Sequence, residues 1–295
     1  MIVTRFAPSP TGLLHLGHAF AAMTAHDAAE SAGGRFLLRI EDIDRMRCRS
    51  EFEAAIFEDL AWLGIQWERL VLRQSDRFET YRAALDRLAE RGLLYPCFCT
   101  RGDIAAEIAR SAEAPHGPEG PLYPGTCRGL SERERRTRIE SGVPYALRLD
   151  VAKAAALAGA LSFEEQGSGP NGERGSIVAD PLLFGDIVIA RKDVPASYHL
   201  AVVVDDAHQG VSLVTRGNDL FAATNVQRLL QALLELPAPS YSHHRLILNA
   251  EGRKFSKRNR AATLKSMRES GITPVQIRAR CLQILPPPTR GGRNA

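Results

Sequence analysis

The sequence predicts an α/β protein built on a parallel, Rossmann-like sheet, interrupted by a small cysteine-bearing insertion and followed by a short basic helical segment. Three observations carry this reading. Strand-length apolar runs alternate with helically spaced segments over the first 95 residues and again from Asp186, the pattern of βαβ units. Between Pro96 and about Asp186 that alternation gives way to short apolar runs, a Gly/Pro-rich stretch from Pro115 to Gly125 and a polar loop from Gly167 to Gly175. Charge is also uneven. Of 295 residues, 38 are Lys or Arg and 34 Asp or Glu, a net +4, yet Glu251 to Ala295 holds 11 basic and 2 acidic residues, placing +9 there and −5 on the first 250. A basic segment on a mildly acidic body suits a polyanionic partner such as nucleic acid, or a solvated tail.

In order, Ile2 to Ala7 predicts a strand ending in the breaker cluster Pro8-Ser9-Pro10-Thr11-Gly12, and Leu13 to Glu30, rich in Ala, predicts a helix. Arg35 to Ile40 predicts a second strand leading to Glu41-Asp42, and Glu51 to Leu63 and Asp76 to Arg91 predict amphipathic helices. After the insertion, Asp186 to Ala190, His199 to Val204 and Val211 to Arg216 are expected as strands, so the sheet is split in sequence. Asn218 to Leu236 is expected as one long helix stopped by Pro237 and Pro239, and Arg245 to Asn249 as a strand-like run. The expected domains are a first catalytic half (1–95), the insertion (96–185), a second catalytic half (186–240) and a C-terminal segment (241–295).

A composition of 44% hydrophobic and 24% charged residues is that of a globular protein with enough apolar mass for a core. No apolar run is long enough to cross a bilayer and no signal peptide is evident, so no membrane partner and a cytoplasmic location are expected. Five cysteines cannot make a disulfide scaffold. Three of them, Cys97, Cys99 and Cys127, lie close together, which favours metal or redox chemistry.

His15-Leu16-Gly17-His18 stands where the first strand turns into a helix, placing two imidazoles at the positive end of a helix dipole. Gly17 lets a flat group such as adenine approach the backbone, and His15 and His18 can donate to phosphate oxygens that gain charge in a transition state. Alone, such a pair points more often to metal ligation or a surface. The whole stretch from Arg5 to His18, Arg-Phe-Ala-Pro-Ser-Pro-Thr-Gly-Leu-Leu-His-Leu-Gly-His, however, resembles the signature of class I glutamyl-tRNA synthetases. Lys254-Phe255-Ser256-Lys257-Arg258 is similar to their second signature, Lys-Met-Ser-Lys-Ser, departing at Phe255 and Arg258.

The resemblance implies the class I synthetase fold and a ligase that activates an amino acid with ATP and Mg2+. It assigns catalysis to His15, His18, Lys254 and Lys257, and ATP binding to His15, Gly17, His18, Ser256 and Lys257. It implies a glutamate pocket of Arg5, Phe6, Ala7, Pro8 and Ser9 from the first loop, with Glu41, Tyr198 and Arg216. The chemistry agrees: the two arginines can hold carboxylates and Glu41 the substrate ammonium. Ala7 and Ser9, where glutaminyl relatives carry Pro and Glu, favour glutamate.

Three thiolates suit four-coordinate zinc, and a small loop-rich insertion gains stability from a bound ion. For the fourth ligand, spacing alone ranks Tyr123 and His116 equally. Similarity to the zinc pattern of a short glutamyl-tRNA synthetase-like family, Cys-x-Cys then Tyr-x-x-x-Cys, implies Cys97, Cys99, Tyr123 and Cys127 around one structural zinc ion. The gap from Cys99 to Tyr123 is longer than in that pattern, with Ala114 to Pro121 as the extra loop.

The chain runs only 37 residues past Arg258, too few for the anticodon-binding region of a tRNA-charging enzyme. The nearest resemblance is therefore to the glutamyl-Q tRNA(Asp) synthetase family. It implies tRNA-independent activation of L-glutamate and transfer to the queuosine base of tRNA(Asp). A monomer is expected, with Arg260, Lys265, Arg268, Arg278 and Arg280 available to tRNA phosphates. A conventional tRNA(Glu)-charging synthetase, a small-molecule nucleotidyltransferase and a non-catalytic zinc-bearing RNA binder are the alternatives.

Overall fold

The computed structural model describes residues 1–110, 116–118, 120–191, 194–247 and 262–283. Lys254, Phe255, Ser256, Lys257, Arg258 and Arg260 lie outside the described residues, as does everything after 283. In chain order the elements are β1 (Val3–Phe6), α1 (Leu16–Ser31), β2 (Arg35–Ile40), α2 (Ser50–Trp62), β3 (Leu72–Arg73), α3 (Phe78–Glu90), β4 (Leu94–Cys97), α4 (Arg101–Arg110), β5 (His116–Gly117), β6 (Gly120–Pro121), α5 (Glu132–Glu140), β7 (Ala146–Leu149), α6 (Val151–Ala158), β8 (Ser162–Glu165), β9 (Gly175–Val178), β10 (Val188–Arg191), α7 (Tyr198–His208), β11 (Leu213–Gly217), α8 (Ala223–Leu233), β12 (Ser240–His244), α9 (Leu264–Glu269) and α10 (Pro274–Gln283). They form two compact units: Met1–Arg73 with Ser212–Asp219 and the chain from Ser242, and Gln74–Val211 with Leu220–Tyr241.

In the first unit β1, β2 and β3 are parallel, Val3 to Phe6 lying against Arg35 to Leu38, and Arg39 and Ile40 against Leu72 and Arg73. After the long excursion the chain returns to β1, where Ser212 N donates to Val3 O at 3.0 Å. β11 itself, however, is paired in a four-stranded sheet with β12, β8 and β9, and the expected strand Asp186 to Ala190 lies in an antiparallel sheet as β10, so the parallel sheet proper is β1, β2 and β3. α1 connects β1 to β2. Its buried Ala19, Ala22, Ala25 and Ala29 are small enough for the helix to lie close on the strands, and Thr4 Oγ1 donates to Ala25 O at 2.7 Å. Gly34 makes the return turn possible, because a Cβ there would stand 2.1 Å from Ile2 O, which accepts the Arg35 N–H. Phe6, Leu16, Leu38 and Ile40 share one hydrophobic cluster with Ile247, Leu264, Met267, Ile277 and Cys281.

Asp59 on α2 is fully buried, and neither carboxylate oxygen has a hydrogen-bond partner among the described residues. Arg268 Nη1 of α9 stands 3.4 Å away. Burial pushes the carboxyl up to about 6, with Arg268 pulling the other way. Because this folded-state value exceeds the unfolded one, the folded state binds the extra proton between roughly pH 4 and 6, and stability falls as pH rises through that window. Asp59→Asn should therefore match the parent in denaturant melts at pH 4 and exceed it at pH 7.5 by on the order of 1–3 kcal/mol. An equal or smaller midpoint at pH 7.5 would count against this reading.

In the second unit β4, β7 and β10 form an antiparallel sheet with β7 central, Tyr95 facing Arg148 and Cys97 facing Ala146. The expected strand from His199 to Val204 is instead part of α7. Leu200 to Val204 are buried throughout, and a continuous apolar run of that length has the same appearance in a buried strand or a buried helix. Ser197 decides, its hydroxyl accepting the Leu200 N–H as an N-cap. Asp205 then reaches inward and accepts from Gln74 Nε2 at 2.9 Å, Arg77 Nε at 2.7 Å and Tyr81 Oη at 2.7 Å.

Two further expectations are corrected. Asn218 to Leu236 is a short 3-10 turn followed by α8 rather than one long helix. The strand after it is Ser240–His244, one step earlier than the expected Arg245 to Asn249, whose last two residues lie outside the described set.

Candidate active site and metal centre

His15 is the N-cap of α1 and His18 its third helical residue. His15 Nδ1 accepts from Gly17 N at 3.1 Å, and His18 Nδ1 accepts from His15 N at 3.2 Å, a reciprocal capping box written in imidazoles. Both Nδ1 atoms accept, so the neutral tautomer these bonds select carries its proton on Nε2. The cap thus turns each ring into an Nε2–H donor at a helix N-terminus. The rings lie 3.8 Å apart, centroid to centroid, and a Cβ on Gly17 would approach the His15 ring to 3.1 Å. A side chain at position 17 would therefore crowd the His15 ring, which would have to give by a few tenths of an ångström. His15 also bridges to Thr263, and Leu264 N donates to Leu14 O at 2.8 Å.

The residues expected around glutamate are distributed unevenly. Arg5 and Arg216 are both buried on β1 and β11. Arg5 Nη1 lies 3.3 Å from Thr215 O, and Arg216 Nε donates to His243 Nε2 at 3.0 Å. Glu41 N donates to Pro8 O at 3.0 Å, which brings Glu41 to the Pro8-Ser9 loop, and its Oε1 lies 3.4 Å from Nη2 of the fully buried Arg39. Phe6 packs into the hydrophobic cluster, so what it offers a pocket is backbone. Tyr198 opens α7 and belongs to the second unit.

His243 and Arg39 were missed by the sequence reading. The signal for Arg39 was present: a cation at an inward position of the apolar run Arg35 to Ile40 requires a carboxylate partner. Of the cations expected to meet RNA, Arg268 is paired with Glu58 and Asp59, and Arg278 is paired with both oxygens of Asp27.

The three thiols of Cys97, Cys99 and Cys127 all lie within 4.8 Å of one another. Cys99 Sγ is 3.4 Å from Cys127 Sγ, and Tyr123 Oη is 3.4 Å from Cys97 Sγ and 3.7 Å from Cys99 Sγ. A tetrahedral zinc ion at ordinary bond lengths sets sulfur–sulfur edges of about 3.8 Å and sulfur–oxygen edges of about 3.5 Å, so these four atoms fit such an ion. The Cys127 N–H donates to Tyr123 Oη at 2.8 Å and Phe98 N–H to Cys127 Sγ at 3.4 Å, fixing two ligand atoms. Burial pushes Cys99 up to about 11. Burial acts the same way on Cys127, but hydrogen bonds from Phe98 and Tyr123 hold it below the usual thiol range. A metal entering the group must displace protons.

A family profile described as tRNA synthetases class I (E and Q), catalytic domain, matches residues 1–285. The chain belongs to the class I glutamyl and glutaminyl tRNA synthetase family. It is a class I aminoacyl-tRNA synthetase-like ligase. It is 51% identical to a protein of Rhodobacter capsulatus named glutamyl-Q tRNA(Asp) synthetase, covering 94% of this chain and 98% of the relative. It is 38% identical to a glutamate–tRNA ligase of Aquifex aeolicus, of which it covers 59%. Among solved structures, a glutamate tRNA ligase of Elizabethkingia meningosepticum in complex with its amino acid superposes with a TM-score of 0.72 at 28% identity. That match covers 88% of this chain and 52% of the other, so this class I synthetase catalytic chain spans about half the length of that ligase. No helix among its described residues is long and apolar enough to cross a membrane.

Proposed function

We propose that the enzyme activates L-glutamate with ATP, without tRNA, and transfers it to the queuosine base of tRNA(Asp), acting as a monomer in the cytoplasm. The observation that carries the first half is the imidazole capping box, in the same unit as the buried Arg5 of β1 and Arg216 of β11. Activation needs no protein nucleophile: a glutamate carboxylate oxygen attacks the α-phosphorus, a new P–O bond forms, and the bond to pyrophosphate breaks. His15 and His18 Nε2–H groups donate to phosphate oxygens as charge builds, and Lys254, Ser256 and Lys257 hold the ATP phosphates with Mg2+ bound alongside. Arg5 and Arg216 hold the substrate carboxylates, and Glu41 its ammonium. In transfer, a hydroxyl of the queuosine cyclopentene ring attacks the mixed anhydride, AMP leaves, and the leaving phosphate takes the proton.

The second half rests on the names of the relatives, four of which, at 40–51% identity, are called glutamyl-Q tRNA(Asp) synthetase. The deciding experiment is glutamate-dependent exchange of pyrophosphate into ATP with no tRNA, followed by transfer to queuosine-containing tRNA(Asp) and to tRNA(Glu). Exchange that requires tRNA, or charging of tRNA(Glu), would replace this reading with that of a conventional glutamate–tRNA ligase.

Cys97, Cys99, Tyr123 and Cys127 hold one structural zinc ion, whose contribution when bound is to cross-link the loops around β4. A chelator should accordingly speed proteolytic cutting between residues 97 and 130 by tenfold or more while exchange persists in the uncut protein. Unchanged protection in a zinc-free Cys97→Ser variant would contradict this.

A further inference from the structure

The phenol is the unusual member of the metal group, and the structure shows what holds it. Arg148 lies with its guanidinium carbon 3.7 Å from the Tyr123 ring centroid, stacked on the ring face. It is a strand residue of β7 and about nine-tenths buried. Its own position is fixed by the sheet, where it faces Tyr95 on one side and Val188 on the other, and by Nη1 donating to Asp186 O at 2.5 Å.

Asp186 is the hub of this arrangement. Its buried carboxylate accepts from Tyr95 Oη at 2.6 Å, from Arg128 Nη1 at 3.1 Å and from Val151 N at 3.0 Å. Tyr95 stands two residues before Cys97, and Arg128 one residue after Cys127. The segments carrying Cys97, Cys127 and, through Arg148, Tyr123 are thus tied to a single residue. Tyr123 and Arg148 both line a cavity of about 300 Å3, with Leu122, Phe184, Asp186 and His199 among its other walls. The ring packs against the cluster of Tyr95, Cys97 and Cys127, and the flat guanidinium covers its face.

We propose that Arg148 is the positioning residue of the metal centre: its guanidinium, set by Asp186 and the β7 register, holds the Tyr123 ring so that the phenol oxygen completes the three-sulfur site. The proposal rests on the zinc reading above. It gives Arg148 a task that a generic surface or core arginine would not have, acting on the ion only through Tyr123.

The test is a double-mutant cycle on the full-length protein, with zinc affinity measured by competition against a chromophoric chelator. Tyr123→Phe and Arg148→Met should each weaken zinc binding by about 10- to 100-fold, and the double variant should be no weaker than Tyr123→Phe alone. Arg148→Lys, which keeps the charge without the planar face, should lose several-fold and serves if the Met variant does not fold. In cobalt-substituted Arg148→Met the thiolate charge-transfer absorbance should stay that of three sulfurs, while the ligand-field bands move to those of Tyr123→Phe. A merely structural loss would lower both.

Wild-type affinity in Arg148→Met, or additive losses in the double variant, would overturn the proposal. Wild-type protein that binds no zinc, or binding unaffected by Cys97→Ser, would overturn the zinc reading and this proposal with it. Normal zinc binding that is lost with Cys97→Ser but unaffected by Tyr123→Phe would overturn the proposal alone.

Discussion

His18→Ala is expected to slow tRNA-independent pyrophosphate exchange by about a hundred- to a thousand-fold, the usual cost of removing one donor aimed at developing charge. The same change also deletes half of the α1 cap, worth about 1 kcal/mol of stability, so two effects are mixed in it. His18→Gln separates them. Glutamine is the ordinary third residue of a capping box, and its side-chain oxygen can accept the His15 N–H in place of Nδ1. The Gln variant should melt within a few tenths of a kcal/mol of the parent and still show most of the loss in exchange. Recovery of exchange to parental rates in both His18→Gln and His18→Glu, the second of which caps without bringing an N–H donor, would mean that the imidazole acts through the cap alone and is no phosphate donor.

The second large effect is expected at Arg216. It is buried and its Nε donates to His243, a bond that holds one edge of the guanidinium in place. Arg216→Gln should raise the KM for glutamate by about a hundredfold or more, corresponding to roughly 3 kcal/mol for a desolvated carboxylate contact. It should also bring glutamate and glutamine toward equal use, because the charge that distinguishes them is gone. Arg216→Lys keeps the charge but loses the fork and should fall between, at about tenfold. Steady-state exchange with each amino acid measures all three. An unchanged KM for glutamate in Arg216→Gln would remove Arg216 from the pocket.

Much of the catalytic half was legible because local signals and tertiary demands agreed there. Arg35 to Ile40 carries β-branched and aromatic residues at strand length and is β2 to the residue. The first loop and the helix after it were fixed by Pro8, Pro10, Gly12 and the alanine run. The cysteine group was also visible, since thiols 2 and 28 residues apart have few other uses in a loop-rich insertion. Where the reading failed, the deciding contact was distant in sequence. α7 looked like a strand because Leu200 to Val204 is apolar on every face, and only burial on all sides of a helix explains that. Arg148 and Asp186 stand 25 and 63 residues from Tyr123, so no spacing rule could connect them. His243 is 27 residues from Arg216, and their hydrogen bond depends on two strands lying side by side.

The placement of Ile247 and Leu264 has a consequence for the helix that begins at the two histidines. Both side chains are embedded in the hydrophobic cluster that also holds Leu16 of the first signature's helix, and Leu264 N is bonded to Leu14 O just before His15. The chain before residue 248 and the chain after residue 261 are therefore both anchored to α1, through Ile247 and Leu264. A cavity opened at either side chain would loosen the floor on which Leu16 sits and so reach the imidazole cap from below, with no change in any residue of the first loop.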